Sequence, residues 1–361
     1  MKRRFFLKSL LGTLSAAALA LTAAQASAED KLKVGFVYVG PISDYGWSYQ
    51  HDQGRLGLEK ALGDKIETTY VENVKEGADA ERVIRQLASS GHNLIFSTSF
   101  GFMNATLKVA KKFPNVKFEH ATGYKTADNL SIYAGRYYEG RYIMGQIAGK
   151  LTKTNKIGYV ASFPIPEVVR GINAFIIGAR SVNPEATITP VWVNTWYDPG
   201  KEGDAAKALI DQGVDILTQH TDSPAPLQVA EERGIFAFGQ ASNMIAFAPN
   251  AQLTGIEDNW VPYYVKRTQE VLDGTWKTGE VWDGLSTGMV KMSDYTNMPE
   301  EIAEMARKTE AAIAKGEINP FTGPLRKQDG SIAVEEGKTI PDAELAGMNY
   351  YVEGVIGSLP K

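Results

Sequence analysis

The sequence predicts an α/β protein with two doubly wound, Rossmann-like lobes joined by a hinge. Two observations carry this prediction: strand-like and helix-like segments alternate over most of the chain, and three short sequence elements recur in the same order at nearly one spacing. Alternation of strands and helices is typical of right-handed βαβ units on parallel sheets. A chain of 361 residues is also longer than a single compact core usually supports.

The recurring elements are short apolar runs. Residues 33–37 (KVGFV) recur as 156–160 (KIGYV), 91–95 recur as 213–217, and 118–120 recur as 238–240, at offsets of 123, 122 and 120 residues. Near-continuous apolar runs of this length are typical of strands that are covered on both faces. Three ordered echoes at one spacing therefore predict two halves of similar structure.

The elements can be assigned along the chain from these runs and from helical periodicity. Strands are predicted at 33–40, 66–71, 93–99, 115–121, 156–162, 187–195, 214–220 and 235–240. Helices are predicted at 48–62, 77–90, 102–112, 138–152, 167–182, 202–212, 224–233, 261–273 and 299–315. After residue 250 the regularity lapses, so we expect the chain to cross between the lobes there and to end in an irregular tail. Lobe 1 would hold 29–152 and about 256–284, and lobe 2 would hold 153–255 and about 285–361.

Residues 1–28 are typical of a secretory signal peptide. Four basic residues stand in the first eight positions, an uncharged and mostly apolar run follows at 10–22, and 26–28 (ASA) form a small-x-small cleavage pattern. The run 3–8 (RRFFLK) also resembles a twin-arginine signal, with an ordinary Sec signal as the open alternative. The apolar run is shorter than the roughly 20 residues of a membrane span. We therefore expect cleavage near Ala28 and a soluble periplasmic protein.

Composition excludes several classes of site. The chain has no cysteine and four histidines, which excludes disulfides and thiolate metal sites and makes a histidine-rich metal site a poor prediction. Without residues 1–28, 34 basic and 42 acidic residues remain, a formal charge of about −8. Such a surface is a poor partner for a phosphate backbone. We expect no cofactor, no metal and no nucleic acid.

Ligands of open parallel sheets bind beyond the carboxyl ends of the strands, so the residues just after each apolar run are the candidate binding residues. Those positions are rich in aromatic side chains, with a few polar groups among them. The candidates are Asp44, Tyr45, Trp47, Ser97, Phe100, His120, Phe163, Trp196, Asp222, Gln240, Glu257 and Trp260. Flat apolar faces with a few hydrogen-bonding groups suit a planar heteroaromatic ligand.

Structural roles remain open for most of these residues. Trp47 and Trp196 could be core aromatics of a lobe, although both stand in polar turn sequence. Asp44 and Asp222 could each cap a following helix. His120 and His220 could be hydrogen-bonded histidines at strand ends without any ligand.

One catalytic signature occurs and is rejected. Residues 284–288 (GLSTG) match the G-x-S-x-G turn of serine hydrolases, in which the catalytic histidine follows the serine. All four histidines precede Ser286. The flanks at 281–282 and 289–292 are strand-like, which favours a hairpin turn. A hydrolase using cleft carboxylates such as Glu257 and Asp222 stays as an alternative from another functional class.

Several stretches, taken in order, carry a resemblance to a known family. They are 33–37 (KVGFV), 44–47 (DYGW), 113–118 (FPNVKF), 139–145 (EGRYIMG), 156–160 (KIGYV), 182–184 (VNP) and 213–217 (GVDIL). In this order they resemble the basic membrane protein (BMP) branch of ABC transporter substrate-binding proteins. The resemblance implies the type I periplasmic binding protein fold, and a receptor for purine nucleosides or bases that is not an enzyme. The partners it implies are an ABC permease and its ATPase at the inner membrane.

The resemblance also implies roles for individual residues. Trp47 or Phe100 would stack on one side of the base and Trp196 on the other. The family usually has an acidic residue where this chain has His120, and a V-D-x-D pattern where this chain has 239–242 (GQAS). Losing acidic partners for ribose predicts a free, adenine-like nucleobase, with His120, Asp222 and Gln240 reading its edge.

Receptors of the same fold for other solutes remain open. A nucleoside or a sugar would use the same cleft, and an amino acid would need an arginine for its carboxylate, for which Arg136 and Arg170 are the candidates. We expect a monomer.

Overall fold

The computed structural model describes residues 31–43 and 45–360, and its two six-stranded sheets confirm the predicted α/β fold. The predicted signal peptide and Asp44 lie outside the described residues. Within the described part, no helix is both long and apolar enough to cross a membrane.

The first sheet is entirely parallel. Its strands are β1 Leu32–Val37, β2 Ile66–Val71, β3 Leu94–Ser97, β4 Lys117–Ala121, β5 Leu130–Gly135 and β11 Glu280–Asp283. They lie side by side in the order β2-β1-β3-β4-β5-β11. Residues 34–37 of β1 are all buried, because helices cover both faces of the sheet. We call the elements built on this sheet the first lobe.

The second sheet repeats that plan. Its strands are β6 Lys156–Ala161, β7 Thr187–Trp192, β8 Ile216–His220, β9 Phe236–Gly239, β10 Gln252–Asp258 and β12 Val290–Met292. Their order is β7-β6-β8-β9-β10-β12, the same path through the sheet as in the first lobe, with β12 antiparallel to β10. We call the elements built on it the second lobe. The matching orders account for the echoes in the sequence.

The helices begin and end close to the predicted positions. They are α1 Gly46–Leu62, α2 Ala78–Ser89, α3 Met103–Ala110, α4 Tyr137–Leu151, α5 Pro166–Val182, α6 Pro199–Asp211, α7 Ala225–Arg233, α8 Val261–Leu272, α9 Glu300–Ala314 and α10 Asp342–Ala346. Local chemistry sets several of these boundaries. Asp198 caps α6 by accepting a hydrogen bond from the backbone N–H of Lys201 at 3.1 Å, and Pro199 follows at the first helical position.

The hairpin predicted around 284–288 is wrong. The two flanking segments do form strands, but β11 pairs with β5 in the first sheet and β12 pairs with β10 in the second. The turn between them carries the chain from one lobe to the other. Strand-like flanks predict extended backbone only, and they do not say which sheet each segment joins.

The segment after α9 packs onto the second lobe. Asn173 of α5 donates to the carbonyl oxygen of Tyr350 at 2.8 Å and accepts from the backbone N–H of Val352 at 3.1 Å. The edge of β7 is covered as well, because Ile188 and Gly354 are joined by a backbone hydrogen bond of 2.9 Å. The tail predicted as irregular thus covers a helix and a sheet edge, and it includes a short hairpin of β13 Leu325–Arg326 and β14 Ile332–Val334.

Candidate functional site

A cavity lies where the strand ends of the two lobes face each other. The first lobe contributes Val39, Trp47, Ser99 and Phe100, and the second contributes Glu167, Trp196, His220, Asp222 and Gln240. The position agrees with the rule for open parallel sheets.

Trp47 forms one wall of the cavity and is held rigidly. Its indole N–H donates to the carbonyl oxygen of Thr98 at 2.5 Å, and its ring meets the rings of His51 and Trp260 edge-on at 4.4 and 5.7 Å. Trp260 is 1% exposed and lies parallel to His51 at 4.7 Å. The structure therefore places Trp260 behind Trp47 and outside the cavity lining, where it supports the wall.

Trp196 forms the opposite wall from the second lobe. Its indole N–H donates to Oε1 of Glu76 on the first lobe at 3.0 Å, so this bond crosses the cleft. The Phe163 ring lies 5.0 Å from the Trp196 ring and supports it without lining the cavity. Tyr45, also predicted as a contact, stacks on Tyr49 at 4.5 Å and does not line the cavity.

Three predicted polar contacts bond to protein groups and lie outside the cavity lining. Ser97 shares a 2.9 Å hydrogen bond with Thr106, and Glu257 accepts from Ser293 at 2.7 Å. His120 is fully buried, and its Nε2–H donates to the carbonyl oxygen of Ser99 at 2.8 Å. Burial lowers the pKa of His120 to about 4, so the imidazole is neutral at pH 7. His120 thus positions Ser99, which does line the cavity.

Two buried acidic side chains stand close together at the cleft: Asp222 lines the cavity, and Asp258 lies outside its lining. Burial raises the pKa of the Asp222 carboxyl well above its usual value, and the nearby charges of Glu202 and Glu167 add to this effect. Burial also raises the pKa of the Asp258 carboxyl well above its usual value, and the charges of Glu167 and Asp222 raise it further. Neither oxygen of Asp258 has a hydrogen-bond partner among the described residues. Because both carboxyl groups resist ionisation, a further negative charge is also disfavoured here, so the site disfavours an anionic ligand.

His220 and Glu167 form a pair on the second lobe. Nε2 of His220 lies 3.4 Å from Oε1 of Glu167, and Nδ1 lies 3.4 Å from the Tyr159 hydroxyl. Burial lowers the pKa of His220, outweighing the hydrogen bond to Glu167, which raises it. The neutral imidazole therefore donates one hydrogen bond to Glu167 at neutral pH.

Arg141 of α4 lies fully buried beside the cavity. Its guanidinium donates to Oε1 of Gln240 and, at 3.2 Å, to the Thr218 hydroxyl. The guanidinium carbon also stands 5.5 Å from the centre of the Tyr159 ring. Gln240 is thus held by a protein cation on one side while its other side faces the cavity.

The two arginines considered for a ligand carboxylate are engaged elsewhere. Arg136 makes a two-point ion pair with Asp342 at 2.8 and 2.5 Å, and Arg170 donates to the carbonyl oxygen of Leu345 at 2.6 Å. Both guanidinium groups lie on the ring of Trp282, at 4.6 and 4.8 Å. Neither lines the cavity, so nothing here favours an amino-acid ligand.

The cavity thus brings together five of the predicted residues: Trp47, Phe100, Trp196, Asp222 and Gln240. Sequence reasoning missed Glu167, which stands in the first turn of α5, six residues beyond the end of β6. At the end of β10 it selected Glu257, but the neighbouring Asp258, although also outside the cavity lining, is the residue whose charge interacts with Asp222. Strand alternation could have distinguished Glu257 from Asp258, because adjacent residues of a strand point to opposite faces of the sheet.

Sequence relatives match most of the chain. A family model described as ABC transporter substrate-binding protein PnrA-like matches residues 31–320. A purine-binding protein of Brucella abortus (strain 2308) is 61% identical over 336 residues, covering 93% of this chain and 96% of that protein. A Haloferax volcanii protein, provisionally named an ABC transporter glucose-binding protein, is 38% identical over 332 residues and covers 92% of this chain and 82% of its own.

Solved structures show the same fold. A solute-binding protein of an ABC transporter system from Aeropyrum pernix K1 superposes with a TM-score of 0.69 at 19% identity, covering 80% of this chain and 92% of that one. The family and the fold indicate a substrate-binding protein, which sets the hydrolase alternative aside. The chain belongs to the PnrA-like, or Bmp, family of ABC transporter substrate-binding proteins.

Proposed function

We propose that this protein captures a free, adenine-like purine base in the interlobe cavity and delivers it to an ABC permease for uptake. The observation that carries the proposal is the joint placement of aromatic side chains from both lobes with Asp222 and Gln240 in one cavity. Aromatic faces suit a planar ring system, and the two polar side chains suit its hydrogen-bonding edge. The name of the Brucella relative, which is 61% identical, supports a purine as the ligand class.

The delivery step follows from the way the ligand would bridge the lobes. A base stacked between Trp47 or Phe100 on one side and Trp196 on the other contacts both lobes only when the cleft is closed. Ligand binding therefore shifts the population toward the closed form, and the permease would recognise that form. The transporter's ATPase then drives uptake at the inner membrane.

We further propose that the protein works as a soluble periplasmic monomer, exported through the signal peptide of residues 1–28. For the lobes we keep the proposed division, with one change. α4 goes with the second lobe, because it packs along α5 and touches α9 and β10. The first hinge crossing would then precede α4, near Arg136, and the others would lie between β10 and β12.

Thermal denaturation with a ligand panel tests this function. The mature protein, freed of copurified ligand, is heated with adenine, hypoxanthine, guanine, xanthine, their nucleosides, glucose and amino acids. A ligand at 100 times its dissociation constant adds about 2.7 kcal/mol, which corresponds to a melting shift of a few degrees at this size. We expect a shift with bases and none with nucleosides.

Other results would redirect the proposal. A shift with glucose alone, the ligand class in the name of the Haloferax relative, would keep the receptor role and overturn the purine assignment. A shift with nucleosides as large as that with bases would overturn the inference drawn from residues 239–242. Trp196→Ala should abolish the shift, whereas Ile332→Ala, at an exposed side chain of β14 outside the cavity lining, should leave it unchanged.

A further inference from the structure

The carboxylate of Glu76 joins the two lobes at the edge of the cavity. Glu76 lies on the first lobe, between β2 and α2, and its Oε1 atom accepts three hydrogen bonds. Two come from the first lobe, from the Ser99 hydroxyl at 2.6 Å and from the Gly101 backbone N–H at 3.1 Å. The third comes from the Trp196 indole N–H of the second lobe at 3.0 Å. One oxygen atom thus bonds to both lobes.

Contacts within the first lobe fix the position of this carboxylate. A Cβ atom at Gly101 would stand 2.1 Å from the carboxyl carbon of Glu76, so a larger residue there would displace the carboxylate. Ser99 is buried, and its backbone carbonyl oxygen accepts a hydrogen bond from Nε2–H of His120 near the end of β4 at 2.8 Å. The first lobe therefore presents a fixed hydrogen-bond acceptor to the second.

The two halves of the repeat differ at this glutamate. Residues 75–77 (KEG) recur as 201–203 (KEG), which lie in α6. Glu202 accepts hydrogen bonds from within its own lobe, from the backbone N–H of Asp198 at 2.8 Å and from the Ser223 hydroxyl at 2.6 Å. Glu76 instead accepts one from the opposite lobe. The bond across the cleft is therefore particular to Glu76 and does not follow from the repeated plan of the lobes.

The bond to Glu76 orients the Trp196 ring. Trp196 stands in the loop between β7 and α6 and lines the cavity. Within the second lobe its ring packs on the Phe163 ring at 5.0 Å, with 57° between the two planes. An apolar contact limits where a ring lies, whereas a hydrogen bond from the indole N–H also fixes the direction of the ring edge. Trp196 bonded in this way presents one defined face to the cavity.

Resting on the proposed function, we propose that Glu76 is a positioning residue that fixes the Trp196 ring as the second aromatic wall when the lobes close on the ligand. The bond forms only when the lobes meet, because its donor and its acceptor belong to different lobes. A ligand stacked on Trp196 and the bond to Glu76 then stabilise the same closed form. Loss of Glu76 should therefore speed release of the ligand more than it slows capture.

The test is a double-mutant cycle of Glu76→Ala and Trp196→Phe, with calorimetry of adenine binding as the measurement. Phenylalanine keeps an aromatic face and removes the indole N–H. We expect each single variant to bind adenine about fivefold more weakly or worse, the scale of one net hydrogen bond. The double variant should bind as Trp196→Phe does, because Glu76 acts through the N–H that phenylalanine lacks.

Two further variants separate positioning from a general effect. Glu76→Gln keeps a carbonyl oxygen at this position and should recover most of the affinity lost in Glu76→Ala. Glu67→Ala is the matched control, because it removes an exposed carboxylate of the same lobe at the amino end of β2, away from the cleft. Stopped-flow tryptophan fluorescence should show the loss in Glu76→Ala as faster dissociation at a nearly unchanged association rate.

The outcomes distinguish failure of this role from failure of the proposed function. If the wild type binds adenine, unchanged affinity in Glu76→Ala overturns only the role of Glu76. Losses that multiply in the double variant also overturn only that role, because Glu76 would then act through Ser99 or Gly101. A wild type that binds glucose and not adenine overturns the purine assignment, and the same cycle run with glucose then decides the role of Glu76. A wild type that binds neither overturns both proposals.

Discussion

Individual side chains in this cleft take their roles from burial and from the one partner that each can reach. His120 stands at a strand end, where a ligand contact is a reasonable expectation, yet its Nε2–H is used by the backbone of Ser99. Gln240 stands at an equivalent position of the second lobe and keeps its NH₂ group free, because Arg141 takes only its oxygen. The two residues differ in their neighbours and not in their place along a strand.

The buried imidazole of His120 makes stability depend on pH. Its pKa in the folded protein is about 4, below the unfolded value of about 6.5, so its contribution is complete above pH 6.5 and is lost as the pH falls toward 4. We predict that His120→Gln, which can still donate to Ser99, loses about 3 kcal/mol less unfolding free energy than the wild type between pH 7 and pH 4. Urea titrations at both pH values measure this difference, and parallel losses would contradict it.

Gln240 should contribute directly to ligand affinity. We predict that Gln240→Ala weakens binding of the purine at least tenfold, because one well-made hydrogen bond to a buried group is lost. Calorimetry measures the affinity, and the melting temperature without ligand checks the fold. Gln228→Ala, on the exposed face of α7, is the control and should bind as the wild type does. Unchanged affinity in Gln240→Ala would remove this residue from the site.

Among the elements, the pair α4 and α5 shows how glycine permits close packing. A Cβ atom at Gly145 of α4 would overlap the backbone carbonyl of Phe175, and one at Gly178 of α5 would overlap that of Tyr142. The two helix backbones therefore approach each other more closely than any side chain at these positions would allow. The contact holds Arg141, on α4, against the second lobe.

Gly145→Ala should therefore destabilise the protein. A glycine in a helix is ordinarily worse than alanine by about 1 kcal/mol, but here the added methyl must push backbone apart, at a cost of about 1–3 kcal/mol. Gly203→Ala in α6 is the control, since its Cβ would meet the nearest atom at 3.8 Å. We expect a lower melting temperature for the first variant and an equal or higher one for the second. A stabilised Gly145→Ala would contradict the close contact.

At the scale of the whole molecule, the two lobes touch along the rim of the cavity. The backbone N–H of Gly46 on the first lobe donates to the Ser242 hydroxyl on the second at 2.7 Å, and Trp196 donates to Glu76 across the cleft. Gly46 has φ +78°, and a Cβ atom there would overlap the carbonyl oxygen of Asp222. The described cleft is therefore closed, and glycine at position 46 permits the closure.

Gly46→Ala should hinder closure without unfolding either lobe. We predict at least tenfold weaker ligand binding, together with loss of the compaction that ligand causes in the wild type by small-angle X-ray scattering. Gly40→Ala lies on the same rim, and its Cβ would meet Ser48 and Tyr197 at ordinary distances of 3.4 and 3.7 Å, so it should behave as the wild type. Full compaction in Gly46→Ala would show that this approach does not limit closure.

Much of the architecture could be predicted from local pattern alone. Eight predicted strands and nine predicted helices occur close to their expected positions, and the echoes indicated two alike lobes. β5 was not predicted, because 130–135 is short, lacks a distinctive apolar run and is defined as a strand by its pairing with β4 and β11. The same reason explains the failed hairpin, since extended backbone does not specify its partner.

The sequence by itself determined the fold class, the repeated plan of the lobes and the end of the sheets at which the cavity lies, because these follow from periodicity and chain order. Only the tertiary structure decided which side chains reach the cavity. His120 and Gln240 stand at corresponding positions of the two lobes, yet only Gln240 lines the cavity. That choice depends on strand register and on the approach of the opposite lobe, and both are set by contacts between residues far apart in the chain.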